Sequence, residues 1–187
     1  MTTSERRQRF DALFAAHGAD IVAYCRWRGP SADAQDAAAE VFLTAWRRLD
    51  DVPDGDAGRV WLYATARRVV ANQRRSSRRR LALAERLAAE PPPQSAEPSL
   101  DREQSLVHEA LASLGARDRE VLLLAEWEGL APRQIAGVLG CAAVTVRTRL
   151  HRARKRFRSV YEELSPVRPL PARPVRQLPP RRINEHV

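Results

Sequence analysis

Apolar residues recur along most of the chain with the spacing of an α-helix. Near the start, Leu13 and Phe14 lie three and four residues after Phe10, and an apolar segment follows from Ile21 to Trp27. The same periodicity predicts further helices, approximately over residues 34–49, 59–75, 105–114, 116–127, 132–139 and 142–161. Because Ala and Leu are frequent and β-branched runs are few, the predicted fold class is all-α.

Two proline-rich stretches interrupt the helical pattern. The first, at 88–104, contains three successive prolines among Glu, Gln and Ser, and such a run cannot continue a helix. In the second, from Ser165 onward, prolines alternate with arginines in a composition that cannot bury a core. We therefore predict two small helical domains, 1–87 and 105–164, joined by a flexible linker at 88–104 and followed by a disordered tail at 165–187.

The charge of the chain indicates a polyanionic partner. Its 187 residues carry a formal net charge of +9, and the pI is about 10.9. A protein with this charge is attracted to polyanions, of which nucleic acid is the first candidate.

Several other functions lack the residues they would need. Cys25 and Cys141 lie far apart without a Cys-X-X-Cys motif, so we expect two buried thiols and neither a disulfide nor a zinc site. The chain has no Gly-rich phosphate loop and no second acidic cluster for a pair of metals, so we expect no enzyme, cofactor or metal. A polar N-terminus and the lack of an apolar stretch of ~18 residues indicate a cytoplasmic protein.

The predicted helix at 34–49 has two different faces. One narrow stripe, expected to pack inward, consists of Ala38, Phe42, Ala45 and Leu49. The opposite face, which we call the acidic face, consists of Asp36, Glu40, Leu43 and Arg47. A Leu beside two carboxylates is a plausible docking surface for a basic partner helix, although a solvated charged face with a stray Leu is an open alternative.

The predicted helix from residue 59 combines an aromatic residue with arginines. Its inward stripe consists of Leu62, Ala66 and Val69. Its candidate contacts to DNA are Trp61, Arg67, Arg68, Asn72 and Arg75. An exposed indole can stack on unpaired bases, at ~1–3 kcal/mol per base, while guanidinium groups hold the phosphates. The alternative is that Trp61 and Tyr63 simply fill the core.

Residues 129–158 have the spacing of a helix-turn-helix. Pro132 opens the first helix and Gly140 ends it, before a short turn leads into the second helix. The inward stripe of that second helix consists of Val146, Leu150, Ala153 and Phe157. Its candidate contacts to a DNA major groove are Thr145, Arg147, Thr148, Arg149, His151, Arg152 and Lys155. No acid occurs from Gly129 to Tyr161, which predicts strongly salt-dependent DNA binding.

Taken in order, three segments resemble the extracytoplasmic-function (ECF) sigma factors of bacterial RNA polymerase. Residues 33–46 are similar to the polymerase-binding region 2.2 of that family, and residues 61–68, with the following arginines, are similar to region 2.4. Residues 111–157 resemble region 4. The similarity covers about residues 10–80 and 105–158 and leaves out the linker and the tail.

The resemblance implies a sigma factor that works by binding and does no covalent chemistry. Asp36, Glu40 and Leu43 would dock on the clamp helices of the polymerase β′ subunit, and the first helices of the C-terminal domain would cover the β flap. A cognate anti-sigma factor would mask these surfaces, and any membrane contact would come through that partner.

The resemblance also implies how promoter DNA would be recognised. The second helix of the helix-turn-helix would read the upstream (−35) element as duplex. Trp61, Arg68 and Asn72 would face the strand that separates at the downstream (−10) element, and the loop 50–58 would hold an extruded base.

A helix-turn-helix regulator that is not a polymerase subunit remains the alternative. It would explain the C-terminal domain equally well. It would not explain an acidic, leucine-bearing face and a Trp/Arg face on neighbouring helices.

Overall fold

The chain is helical through most of the part that the structure describes. This structure, a computed structural model, describes residues 2–28, 33–87 and 102–165. The helices are α1 (Thr3–Arg28), α2 (Ala34–Arg47), α3 (Asp56–Leu87), α4 (Arg102–Ala112), α5 (Ala116–Glu126), α6 (Pro132–Leu139) and α7 (Ala143–Leu164), and a 3₁₀ turn at Leu49–Asp51 follows α2. The predicted all-α fold is confirmed.

Several helix boundaries differ from those expected from the periodicity, most of all in the first half of the chain. The two apolar segments near the start belong to one helix, α1. Helix α2 ends at Arg47 because the chain then tightens, and the amide of Asp51 donates to the carbonyl oxygen of Arg48 at 2.9 Å. Helix α3 begins three residues early, at Asp56, whose carboxylate lies in the first turn, where the helix dipole favours an acid.

The chain divides into two compact units. The first comprises Met1–Glu97 and Pro132–Ala143, and the second comprises Pro98–Ala131 and Val144–Val187. Helix α6 is thus grouped with the first unit. The domain limits expected from the sequence stay a prediction. Of the expected linker and tail, residues 88–101 and 166–187 lie outside the described residues, and α4 begins at Arg102, within the expected linker.

The core of the first unit lies between α1, α2 and α3. The stripes predicted to face inward are buried in both α2 and α3: Ala38, Phe42, Ala45, Leu49, Leu62, Ala66 and Val69. The buried face of α2 is wider than that stripe, since it also includes Ala34, Ala37 and Val41. Helix α1 contributes Ile21, Tyr24 and Cys25. Periodicity therefore predicted correctly which sides of α2 and α3 face inward.

An aromatic cluster ties α1 to α2. The ring of Phe14 meets that of Phe42 edge to face with centroids 4.8 Å apart, and Phe10 meets Trp46 in the same way at 5.2 Å. Such pairs contribute about 0.5–1.5 kcal/mol beyond the burial of apolar area. The rings hold the two helices in a fixed register.

The core of the second unit is formed by apolar side chains of α4, α5 and α7. Buried side chains on these helices include Ala110, Leu111, Val121, Leu122, Leu124, Val146, Leu150 and Ala153. Phe157 is half-buried and stacks on Tyr161, with centroids 6.0 Å apart. The predicted inward stripe of α7 is therefore buried, except that Phe157 remains partly exposed.

Arg119 closes the end of α4. Its guanidinium donates to the carbonyl oxygens of Leu111, Ala112 and Leu114 at 2.7, 2.7 and 3.1 Å. The last carbonyls of a helix have no intrahelical partner, so a guanidinium there replaces the missing donors. This contact fixes the path of the chain from α4 into α5.

The two cysteines differ in their environments. Cys25 is completely buried, and burial raises the pKa of its thiol to about 11. Cys141 is only half-buried because it lies in the turn after α6 and not on a packed helix face. The expectation of two buried thiols is therefore right for Cys25 and wrong for Cys141.

Two general features concern the described residues alone. Within 2–28, 33–87 and 102–165, no helix is both long and apolar enough to cross a membrane. In the same part of the chain, no group of three or more His, Cys, Asp or Glu side chains is arranged to hold a metal ion.

Candidate nucleic-acid interface

The acidic face of α2 is fully displayed on the surface. All four of its residues are exposed: Asp36, Glu40, Leu43 and Arg47. Leu43 is 47% exposed, on a helix whose other side is packed against a core. Because the spacings are four, three and four residues, these side chains form one continuous strip along the helix.

The loop between α2 and α3 is held by two arginines from α1. Arg9 donates to the carbonyl oxygens of Leu49 at 3.1 Å and Val52 at 2.5 Å, and to the carboxylate of Asp54 at 2.8 Å. Arg6 donates to the carbonyl oxygen of Trp46 at 2.6 Å and to the carboxylate of Asp50 at 3.1 Å. These bonds, which sequence reasoning missed, tie the loop and the end of α2 to α1.

Two glycines shape the same loop. Gly55 has a φ of +62°, which side-chain-bearing residues rarely adopt. At Gly58, any Cβ would collide with the carbonyl oxygen of Pro53. The loop therefore packs directly against the first turn of α3.

One side of α3 carries four of the five residues predicted to contact DNA. Trp61, Arg68, Asn72 and Arg75 are separated by about two, one and one helical turns and so share a side, which we call the Trp/Arg face. Trp61 is half-buried and the other three are exposed. Arg75 donates from Nη2 to Oδ1 of Asn72 at 2.5 Å, so these two side chains are already ordered together.

Arg67 and Tyr63 do not lie on the Trp/Arg face. Arg67 is half-buried and is rotated by about 100° from Arg68 around the helix axis. Tyr63 is 1% exposed and packs edge to face on Tyr24, with ring centroids 5.3 Å apart. The alternative that both aromatic residues fill the core is therefore right for Tyr63, while Trp61 remains partly accessible.

The turn before α7 is closed by a glycine. Gly140 has a φ of +64°, and the amide of Cys141 donates to the carbonyl oxygen of Ala136 at 3.1 Å. This bond across a left-handed glycine is a Schellman motif, which ends α6 as the sequence predicted. Helix α7 then begins at Ala143.

The outward face of α7 is polar and basic. Thr148, His151, Arg152 and Lys155 are exposed, as is Arg147 on the flank. The other two predicted contacts, Thr145 and Arg149, are half-buried. Five of the seven predicted DNA-contacting residues are thus displayed together.

Two arginines of α7 are paired with acids of α5. Arg152 binds Asp118 through Nη2 at 3.1 Å, and Arg154 binds Glu126 through Nη2 at 2.6 Å. Both acids are partly buried, with side chains 22% and 18% exposed. The absence of acids within 129–161 therefore does not leave the basic face without anionic neighbours.

Val144 is a surface residue that the sequence reasoning did not single out. It is 63% exposed in the first turn of α7 and lies one turn before Thr148, whose hydroxyl donates to its carbonyl oxygen at 3.1 Å. An apolar side chain at the start of a recognition helix can contact the methyl group of a thymine. The available signal was its position four residues before Thr148, on the same side of the predicted helix.

Two sequence families match successive parts of the chain. The family described as Sigma-70 region 2 matches residues 13–80, and Sigma-70, region 4 matches residues 104–157. The ECF RNA polymerase sigma factor SigL of Mycobacterium tuberculosis is 33% identical over 161 residues, which cover 84% of this chain and 91% of SigL. The chain belongs to the ECF sigma factors. The predicted family is confirmed.

Two further similarities are consistent with this family. The RNA polymerase sigma-E factor of Streptomyces avermitilis is 31% identical over 132 residues, which cover 70% of this chain and 72% of that protein. In fold, the chain is similar to the sigma factor RpoE of Bartonella quintana, solved in complex with the anti-sigma factor NepR. The TM-score is 0.63 at 24% identity, covering 88% of this chain and 99% of RpoE.

Proposed function

We propose that the protein binds core RNA polymerase and directs it to specific promoters, where it reads the −35 element as duplex and opens and holds the −10 element. The observation that carries this proposal is the presence, in one unit, of the acidic face of α2 and the Trp/Arg face of α3. A sigma factor needs one surface for the enzyme and another for separated DNA. A regulator that only binds duplex needs neither.

The acidic face is the proposed docking site for the clamp helices of β′. Asp36 and Glu40 supply negative charge to a basic partner helix, Leu43 supplies apolar contact, and Arg47 borders the strip. The exposure of Leu43 fits this assignment, since a partner helix would remove its apolar surface from water. Helices α4 and α5 are the proposed cover for the β flap.

The Trp/Arg face is the proposed site for the separated strand. The indole of Trp61 offers a stacking surface, and Arg68 and Arg75 offer charge to phosphates. Asn72, oriented by Arg75, offers an amide to a base edge. We assign to Arg67, which lies beside this face, a contact with the phosphate backbone of the DNA. The loop held by Arg6 and Arg9 is the proposed pocket for an extruded base.

The outward face of α7 is the proposed reader of the −35 element. Thr148, His151, Arg152 and Lys155 would face the base edges, and Arg147, Arg149 and Thr145 would hold the flanking phosphates. Each phosphate contact adds about 0.9 to the slope of log affinity against log salt, so binding should weaken steeply as salt rises.

We also propose that the protein works in the cytoplasm, by binding alone and without covalent chemistry, under the control of an anti-sigma factor. The complex of Bartonella RpoE with NepR supports a partner of this kind. Such a partner would cover the acidic face and so compete with core polymerase.

Run-off transcription tests the proposal. The purified chain plus core polymerase should initiate at one class of promoter, and core polymerase alone should not. Duplex binding without any support of core polymerase would favour the helix-turn-helix regulator instead. That alternative is not favoured, because the Sigma-70 region 2 match covers the unit that a simple regulator would not require.

A further inference from the structure

The guanidinium of Arg152 is held from the side by a carboxylate on another helix. Its Nε donates to Oδ2 of Asp118 at 3.3 Å, and its Nη2 donates to Oδ1 of the same residue at 3.1 Å. Helices α5 and α7, which carry the two residues, both belong to the second unit. Two parallel bonds to one carboxylate fix the plane and the direction of the guanidinium.

Stability alone gives little reason for this contact. The side chain of Arg152 is 65% exposed, and ion pairs so close to solvent contribute little to folding. A second bond between the same two helices, from Arg154 to Glu126 at 2.6 Å, already links them. The pair of Asp118 and Arg152 therefore adds little to the link between α5 and α7, and its main effect is on the orientation of Arg152.

The donors that Arg152 keeps free of Asp118 match a guanine. A guanidinium has five N–H donors, and Asp118 accepts from two of them, so Nη1 and the outer hydrogen of Nη2 remain. Two adjacent N–H groups of this kind fit O6 and N7 of guanine, the commonest specific contact in the major groove. Arg152 lies one turn from Thr148 and from Lys155, so it belongs to the outward face.

We propose that Asp118 is a positioning residue that fixes Arg152 to read one guanine of the upstream element. This inference rests on the proposed function, in which the outward face of α7 reads DNA. A fixed guanidinium meets one base edge, whereas a free one can bind any phosphate within reach. The carboxylate also repels phosphates, so Asp118 lowers affinity for unrelated DNA while it raises selectivity.

The test is a selection of binding sites by the full chain assembled with core polymerase. The promoters carry a randomised upstream element and a constant downstream element. We expect the native chain to require guanine at one position, and Arg152→Gln to lose that requirement there alone. Asp118→Asn should reduce the preference for guanine at the same position by about tenfold, which lies within the usual range for one bidentate contact. Asp118→Glu should restore part of the preference, because it keeps a carboxylate.

Glu126→Gln is the matched control. It also removes from α5 a carboxylate that binds an arginine of α7. Arg154, however, lies one turn from the buried Leu150 and outside the outward face. The selected sequence should therefore stay the same in this variant.

Binding to an unrelated duplex provides a second readout. Asp118→Asn should bind it more tightly than the native chain, because Arg152 without its carboxylate partner can contact a phosphate. The slope of log affinity against log salt should become steeper by up to about 0.9, since that contact displaces one more counterion from the DNA. A misfolded variant would lose affinity and would not gain it.

Different results would contradict the role of Asp118 and the proposed reading of DNA by α7. If Asp118→Asn keeps the full guanine preference, or relaxes a position that Arg152→Gln leaves intact, the proposal is wrong. If the native chain with core polymerase enriches no upstream sequence at all, the proposed reading of promoters by α7 is wrong as well.

Discussion

The helices that carry the proposed binding faces arrange their charges differently in the two units. In the first unit the acids of α2 and the arginines of α3 occupy different helices, and no acid occurs between Asp56 and Glu85. In the second unit acids and arginines face each other across α5 and α7, as in the pairs Asp118–Arg152 and Glu126–Arg154. Charge is therefore separated between α2 and α3 in the first unit, whose ion pairs Arg6–Asp50 and Arg9–Asp54 lie at the loop, and it is paired between α5 and α7 in the second.

This difference fits the different tasks proposed for the two units. Separated charges suit two partners of opposite character, a basic protein helix on α2 and a nucleic acid on α3. Paired charges suit one partner, because an arginine held by a carboxylate accepts its ligand from a single direction. The predictions below test that contrast, beginning with the largest effect.

Reversal of the acidic face should break polymerase binding and leave DNA binding intact. With Asp36 and Glu40 both replaced by Arg, like charges meet across the interface at a cost of several kcal/mol, so affinity for core polymerase should fall by about a hundredfold or more. A competition assay with a labelled sigma factor measures this. Asp11→Arg, on the exposed side of α1, is the control and should have little effect. Unchanged affinity of the double variant would exclude α2 from the interface.

Arg9→Met should loosen the loop that connects the acidic helix to the basic one. The guanidinium bonds to Leu49, Val52 and Asp54 are lost, and since bonds to charged groups contribute about 1.5–3 kcal/mol, the free energy of unfolding should fall by about 2 kcal/mol. Urea denaturation measures this. The exposed neighbour Arg7→Met should stay within about 0.5 kcal/mol of the native chain. Equal losses in both variants would show that the loop bonds do not stabilise the first unit.

Trp61→Ala should weaken binding to separated DNA alone. Loss of one stacked base costs ~1–3 kcal/mol, so affinity for a promoter with a single-stranded downstream element should fall by about tenfold. Affinity for the intact duplex should hardly change, and Trp61→Phe should retain most of the binding. A similar loss on both kinds of DNA would mean that the indole serves packing.

Val144→Ala should have the smallest effect, confined to the second unit. Only one of the two γ-methyl groups that the substitution removes would contact a thymine methyl, and burial of one carbon contributes about 0.8 kcal/mol, which predicts a loss of about fourfold on the native upstream element. Replacing its thymines by uracil removes the partner methyl group. On that DNA, Val144→Ala should have no further effect, and a persistent difference would argue against the contact.

The sequence predicted the helix faces well because periodicity fixes them locally. A residue seven or eleven positions after Trp61 shares its side of α3 whatever the rest of the protein does, so Arg68 and Asn72 could be placed in advance. Arg67 could not be on that side for the same reason. A rotation of about 100° between neighbours places it beside the Trp/Arg face, and its contact to DNA stays a prediction.

Contacts between distant segments left no such pattern. Arg9 reaches carbonyls 40 and 43 residues further along the chain, and Arg152 reaches an acid 34 residues before it. A long guanidinium can meet many partners, and only the packed positions of α1 or α5 decide which one. Val144 was not singled out for a simpler reason, since only polar side chains of the second helix were expected to contact the major groove.

The burial of Cys25 makes its thiol a probe of how often the first unit opens. A thiol reacts as thiolate, and one that is wholly enclosed with a pKa of about 11 is inert at neutral pH until the helices around it part. With the half-buried Cys141 replaced by Ser, the rate of alkylation at Cys25 counts these opening events. A partner that binds across α1, α2 and α3 and reduces their opening should therefore slow the alkylation of Cys25.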